Sequence, residues 1–109
     1  MGAHCNTPQV KRGILHYRMQ IHNGTQSLQM IVGADDWFNW LKENYHFNYL
    51  GVAGQFTARK ETIKNRNRSY WYAYRKINGK LKKEYLGSSH KLTDKKLYDT
   101  AKVLNLVAA

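Results

Sequence analysis

Cationic and aromatic side chains are interleaved in one stretch of this chain, and together they suit the recognition of a polyanion. Residues 55–86 hold ten Lys and Arg side chains and two acids, which gives +8 of the +11 carried by the whole chain. Lys and Arg bind phosphate oxygens, and Arg also reads guanine through a bidentate contact. Trp and Tyr add apolar contacts to sugars or to thymine methyl groups. These residue types predict a surface that binds nucleic acid.

The expected contact residues lie on the strands and on one loop of this stretch. The loop from Lys64 to Arg68 alternates cations with Asn and has little to bury, so it is expected to meet phosphates, which position a protein without selecting sequence. Core packing is the alternative role for Trp71, and ion pairing with Glu61 or Glu84 is the alternative for the strand arginines. The predicted nucleic-acid contacts are Thr57, Arg59, Lys64, Arg66, Arg68, Trp71, Arg75, Lys80, Lys83 and Tyr85.

The face on which these side chains lie depends on the turn at Asn78-Gly79. Side chains alternate between the two faces of a strand. A two-residue turn places the tyrosines of the preceding strand on the face of Lys83, whereas a three-residue loop with a bulge places Trp71 and Arg75 there. The second register is favoured because it gives the C-terminal helix a tyrosine surface to pack on. The open face would then show Thr57, Arg59, Trp71, Arg75, Lys83 and Tyr85.

The rest of the chain must position this surface, and its hydrophobic pattern predicts how. Apolar residues alternate on both sides of Asn23-Gly24, which predicts a hairpin over residues 14–32. Asp35 or Asp36 is expected to cap a short helix over 36–45 that has an aromatic face. Three antiparallel strands then lead to a helix with Thr93 as its N-cap.

The fold class predicted from these elements is α+β. An N-terminal β-hairpin and a short helix precede a three-stranded antiparallel sheet packed on a C-terminal helix. The expected domains are a flexible tail over residues 1–12, the hairpin and aromatic helix over 13–53, and a DNA-binding unit over 54–106.

Composition argues for a folded, intracellular binding protein. Hydrophobic residues make up 42% of the chain and charged residues 23%, which is typical of a globular domain. A single cysteine, Cys5, fits a reducing cytoplasm, and no apolar run is long enough to span a membrane. The five histidines show no metal-ligand spacing, and no nucleophile or phosphate-loop motif is present. We therefore expect no enzyme activity, no cofactor and no small-molecule substrate.

One ordered series of motifs supports a regulatory setting. It comprises Trp37-Phe38-x-Trp40-Leu41, Gly54-x-Phe56-Thr57-Ala58-Arg59-Lys60-Glu61, Tyr70-Trp71-Tyr72-Ala73-Tyr74-Arg75, Gly79-Lys80-Leu81, Tyr85-Leu86-Gly87 and Leu92-Thr93. The series resembles a segment at the N-terminus of large bacterial regulators of the MalT/LuxR type, over roughly residues 14–104. The ATPase and helix-turn-helix of those regulators have no counterpart here. The resemblance therefore implies only a regulatory, DNA-associated setting.

The second half also resembles the three-stranded sheet plus helix of plant ethylene-response-factor domains and of tyrosine recombinase arm-type domains. Those families read duplex DNA with the sheet in the major groove. The resemblance implies that Trp71, Arg75 and Tyr85 face the DNA.

Three functions compete at this point. The first is duplex DNA binding through the sheet of residues 55–86, in a transcriptional-regulatory or mobile-element context. The second is binding of RNA or of a single strand, with Trp71 and neighbouring tyrosines stacking on bases. The third is a protein-interaction module of a regulatory complex, with Trp37, Phe38 and Trp40 as its interface.

Overall fold

The structure, a computed structural model, describes residues 7–63 and 68–108. Seven strands and two α-helices account for most of this part of the chain, with a single 3₁₀ turn over Ser89–Lys91. The strands are β1 (Gln9–Lys11), β2 (Ile14–Ile21), β3 (Gly24–Ile31), β4 (His46–Gly51), β5 (Gly54–Ile63), β6 (Arg68–Ile77) and β7 (Lys80–Gly87), and the helices are α1 (Asp35–Glu43) and α2 (Asp94–Ala108).

All seven strands form one mixed sheet in the order β3-β2-β1-β4-β5-β6-β7. The predicted fold class, a three-stranded antiparallel sheet packed on a C-terminal helix with a separate N-terminal hairpin, is therefore wrong. The hairpin of β2 and β3 is present, but it continues the same sheet that contains β5, β6 and β7. Backbone hydrogen bonding passes without a break from one half of the chain to the other.

Strand β1 joins the two halves. Its three residues pair antiparallel with β2 and parallel with β4, so that Val10 lies opposite both Leu15 and Tyr49. Val10 is completely buried. Residues 9–11 thus lie in the middle of the sheet, although the sequence analysis places them in a flexible tail, because a three-residue strand carries too little periodicity to be recognised.

One face of the sheet is covered and holds the core. The buried side chains of the strands all lie on this face, together with Trp37 and Leu41 of α1 and Leu97, Ala101 and Leu104 of α2. Both helices therefore pack on the same side. We call the other side the open face, because none of its described side chains is buried.

Helix α1 contributes its aromatic residues to the core. Trp37 is fully buried, donates its indole N–H to the carbonyl oxygen of Leu92 at 2.7 Å and stacks on Trp40. Phe38 and Trp40 pack partly buried against the same cluster. The third hypothesis assigns these three side chains to a protein interface. In the structure Trp37 lies in the core, and Phe38 and Trp40 pack against it. The helix begins after Ala34, so Asp35 and Asp36 occupy its first turn rather than its cap.

Helix α2 begins as the sequence predicts. The hydroxyl of Thr93 accepts a hydrogen bond from the amide of Lys96 at 3.1 Å, which satisfies one of the free N–H groups of the first turn. Farther along, the side chain of Asn105 lies so close to Gly54 that a Cβ at Gly54 would collide with it. The helix is thereby seated against the start of β5. Within the described residues, neither helix has the length and apolar content needed to cross a membrane.

The β6–β7 hairpin has the two-residue turn, and the register favoured by the sequence analysis is wrong. Ile77 pairs with Lys80, so that Tyr74 lies opposite Lys83 and Tyr72 opposite Tyr85. Asn78 and Gly79 have φ angles of 53° and 81°. A type I′ turn needs positive φ at both central residues, and Asn-Gly adopts this conformation readily. The bulge lies farther along, between Trp71 and Tyr72, and does not alter the pairing at the turn.

Candidate nucleic-acid interface

The open face changes in character across the sheet. Register partners on this face run through all seven strands in the series Gln29, His16, Gln9, Asn48, Thr57, Tyr74 and Lys83. The first five members of the series are polar residues, and the last two are the aromatic Tyr74 and the cation Lys83. The tyrosines of the face and most of its charges therefore lie on β5, β6 and β7, although Lys11 on β1 and Arg18 on β2 also point to this side.

We call this part the basic open face. Its cations come from three strands and surround a row of tyrosines on β6, which is possible because every second residue of β6 from 68 to 76 points to this side. The acid Glu61 lies among them. The basic open face consists of Arg59, Glu61, Arg68, Tyr70, Tyr72, Tyr74, Lys76, Lys83 and Tyr85.

The tyrosine rings hold two of the cations in place above the sheet. Lys83 Nζ lies 4.3 Å from the ring centroid of Tyr72 and 5.4 Å from that of Tyr74. The guanidinium carbon of Arg59 lies 5.9 Å from the Tyr74 centroid. Such contacts stabilise a cation by about 0.5–1 kcal/mol at an exposed site. The cations are thus directed to this face while their polar groups remain open to a ligand.

Glu61 links the members of this group. Its carboxylate accepts a hydrogen bond from the Tyr74 hydroxyl and lies 3.4 Å from Lys83 Nζ. Both ends of the ion pair are more than two-fifths exposed, so the pair adds little stability. A backbone phosphate, which carries the same single negative charge as the carboxylate, can therefore compete with Glu61 for Lys83.

A shallow groove crosses this surface above β6. It encloses about 570 Å³, with the ring of Tyr74 in its wall. Donors line it from both sides, and the apolar side chain of Leu81 lies at one end. The groove residues on the open face are Thr57, Arg59, Glu61, Tyr74, Lys76 and Leu81.

The structure brings half of the predicted contact residues together and separates the others. Thr57, Arg59, Arg68, Lys83 and Tyr85 lie on the open face. Trp71, Arg75 and Lys80 lie on the opposite face. Lys64 and Arg66 fall outside the described residues.

Trp71 is a core residue. Its ring is completely buried against Phe47, with centroids 5.4 Å apart, and its indole N–H donates to the Ser89 hydroxyl at 2.9 Å. The structural alternative weighed for this residue, core packing, is therefore the one observed. A ligand on the open face does not reach it.

Two cationic side chains of the same stretch donate hydrogen bonds to backbone carbonyl oxygens and are not directed to the open face. Lys60 donates to the carbonyl oxygens of Leu41 and Lys42, at 2.7 and 3.0 Å, and so satisfies the C-terminal end of α1. Desolvation by burial lowers the pKa of Lys60. Arg75 donates to the carbonyl oxygen of Gln55 at 2.8 Å. Neither of these side chains forms an ion pair with Glu84, and the partner of Glu61 is Lys83 rather than an arginine.

Sequence reasoning missed the tyrosine row and Lys76 because it assigned them to the covered face. The signal that would have found them is Asn78-Gly79 itself, since this dipeptide strongly favours the two-residue turn. Within the described residues, no group of three or more His, Cys, Asp or Glu side chains could hold a metal ion.

Residues 52–96 match a family described as a domain of unknown function, DUF6788. The match covers less than half of the chain and takes in β5, β6, β7 and the beginning of α2. No curated protein and no solved structure matches the chain. A family without a known function brings no function to this chain, and the resemblance to regulator segments stays a prediction.

Proposed function

We propose that this protein binds nucleic acid through the basic open face, and that its ligand is duplex DNA held by its phosphates. The observation that carries the proposal is the arrangement of Lys83 and Arg59 above Tyr72 and Tyr74. The rings direct the cations to the side of the sheet that the helices leave uncovered. The chain's net charge of +11 supports the same class of partner.

Phosphate contact suits this surface better than insertion into a groove. Neighbouring strands lie about 4.8 Å apart, so seven strands span roughly 29 Å, whereas the major groove is about 12 Å wide. A sheet of this breadth meets the sugar-phosphate backbone first. The cations already lie over two of the tyrosine rings, which favours contact with phosphates over stacking of bases on those rings.

The proposal is tested by the affinity of a mixed-sequence duplex, measured by fluorescence anisotropy over a series of salt concentrations. We expect log affinity to fall linearly with log salt, by about one unit for each phosphate neutralised. The double variant Arg59→Ala with Lys83→Ala should bind at least about ten-fold more weakly, because two phosphate contacts are lost.

Lys80→Ala with Lys82→Ala is the matched control, since it removes the same charge from the opposite face of β7. It should change the affinity only about two-fold or less through the general field. An equal loss in both double variants would overturn the assignment of the surface. The absence of measurable binding at low salt would overturn the function.

Binding of RNA or of a single strand is the second candidate. Tyr85 favours it because its side chain is about half exposed (51%) and lies 5.4 Å from Tyr72 and 5.9 Å from Tyr70 between ring centroids. A base stacked there would contribute about 1–3 kcal/mol. Tyr85→Leu should then strongly reduce the affinity for a single strand and leave the affinity for duplex DNA unchanged. A cytoplasmic, DNA-associated regulatory setting belongs to the first proposal, the binding of duplex DNA.

A further inference from the structure

The two edges of the sheet are protected to very different degrees. β7 carries Lys80, Lys82, Lys83 and Glu84 and is bulged near its end. Charged side chains and bulges are the usual devices that prevent an edge strand from pairing with another chain. β3, at the other edge, reads Gly-Thr-Gln-Ser-Leu-Gln-Met-Ile and contains no charged residue and no proline. It therefore offers an unprotected row of backbone donors and acceptors.

Exposed apolar side chains lie beside this edge. The covered face of β2 carries Leu15, Tyr17, Met19 and Ile21. The core and helix α1 pack on Leu15 and Tyr17 but do not extend over Met19 and Ile21. Leu15 is fully buried, whereas Met19 and Ile21 are 48% and 42% exposed. On β3 itself Ile31 is 67% exposed. A second chain placed against β3 would lie next to Ile31 on the open face, whereas Met19 and Ile21 lie one strand farther in on the covered face.

We propose that β3 is an interface with a second copy of this chain, and that the two β3 strands pair antiparallel to extend the sheet. The distribution of charge identifies a copy as the occupant. Between residues 14 and 31 the only Lys, Arg, Asp or Glu is Arg18, although the chain as a whole carries +11. Two such chains repel one another over most of their surface, and β3 is where they approach with least repulsion.

The geometry keeps the cations of the two copies apart. The basic open face lies on β5, β6 and β7, which are four to six strand spacings of about 4.8 Å from β3, or roughly 19–29 Å away. The separation exceeds the Debye length of about 8 Å at physiological salt, so repulsion between the two basic open faces is screened. An antiparallel β3 pair around a two-fold axis normal to the sheet also places all the helices on one side. The open faces then form one continuous surface.

The test is sedimentation of the full chain over a wide range of concentration, with Ser27→Lys and Gln29→Lys introduced together at the edge. Both positions lie on the open face of β3. The wild type should form a dimer. The double variant should associate at least about ten-fold more weakly, because like charges would face one another across the new strand pair.

Val52→Lys with Gln55→Lys is the matched control, because it adds the same charge at exposed positions away from β3. It should dimerise as the wild type does. A wild type that stays monomeric at every concentration would overturn the proposal, and so would an edge variant that still dimerises. Amide exchange of the wild type gives a test that needs no variant: protection of β3 should rise with protein concentration, and unchanged protection rejects the interface.

Discussion

Lys60 and Lys83 stand on opposite faces of the same sheet, although both belong to one cluster of cations along the chain. Lys60 lies opposite Trp71 and donates to the end of α1, whereas Lys83 lies opposite Tyr74 and is directed to solvent. The two residues therefore separate the structural use of a cation in this stretch from the proposed use in binding.

Replacement of each lysine by methionine should give opposite results. Lys60→Met leaves two carbonyl oxygens of α1 unpaired, so we expect the free energy of unfolding to fall by about 1–2 kcal/mol, with unchanged DNA affinity of the folded protein. Lys83→Met should change the free energy of unfolding by less than about 0.5 kcal/mol. It should also reduce the slope of log affinity against log salt by about one unit, which corresponds to the loss of one phosphate contact. Urea unfolding and anisotropy measure the two effects. A Lys60 variant that binds less but folds normally would contradict this division.

Trp71→Phe separates the observed register from the one that the sequence favours. The substitution removes the hydrogen bond to Ser89 and leaves unfilled space in the core, so it should destabilise the protein by about 1–3 kcal/mol. Because Trp71 lies on the covered face, the DNA affinity of the folded fraction should not change. A selective loss of binding without a loss of stability would show that the indole contacts the ligand.

Glu61→Gln should strengthen binding. The carboxylate lies among the cations of the basic open face and competes with phosphate for Lys83. Removal of one exposed negative charge should raise DNA affinity by roughly two- to ten-fold at low salt, and the gain should shrink as salt screens it. Glu84→Gln removes the same charge from the opposite face and serves as the control. Equal gains in both variants would mean that only net charge matters.

Alkaline pH should reveal the burial of Tyr49. Burial raises its pKa above the usual 10.0, and the charges of Asp94 and Tyr98 act in the same direction. The unfolded chain then loses this proton at lower pH than the folded chain does, so the contribution of Tyr49 to stability is present below about pH 10 and is lost as pH rises through the folded pKa. Tyr49→Phe should lose less unfolding free energy than the wild type between about pH 9 and pH 11. Parallel pH profiles of the two proteins would contradict the assignment.

Elements held by local signals are the ones that the sequence predicts. The alternation around Leu15 and Tyr17 predicts the β2–β3 hairpin, and the capping hydroxyl of Thr93 predicts the start of α2. Both signals act within a few residues of the chain. The sequence does not predict β1 and β4, because their pairing joins residue 9 to residue 48. A local hydrophobic pattern contains no information about a partner so distant in the sequence.

The sequence predicts the strands that carry the cations and tyrosines, but it predicts the wrong face for the side chains of β6. The stretch rich in Tyr, Lys and Arg does form adjacent strands with one uncovered face. The choice of face, however, rests on a one-residue difference in register, which moves every side chain of a strand to the other side. Helix α2 does not pack on a tyrosine surface of β6, because Trp71, Ala73 and Leu86 are the side chains of β6 and β7 that lie in the core.

The pairing of β5 with β4 means that the segment matching DUF6788 is not self-sufficient in this chain. A fragment that began at residue 52 would leave the inner edge of β5 without a neighbour. It would also remove Phe47, which packs on Trp71, and Trp37, which packs on Phe47. Such a piece would expose both hydrogen-bonding backbone and aromatic rings, the combination that leads to aggregation. Expression of residues 52–96 by themselves therefore requires a replacement for β4 and for the aromatic rings of Phe47 and Trp37.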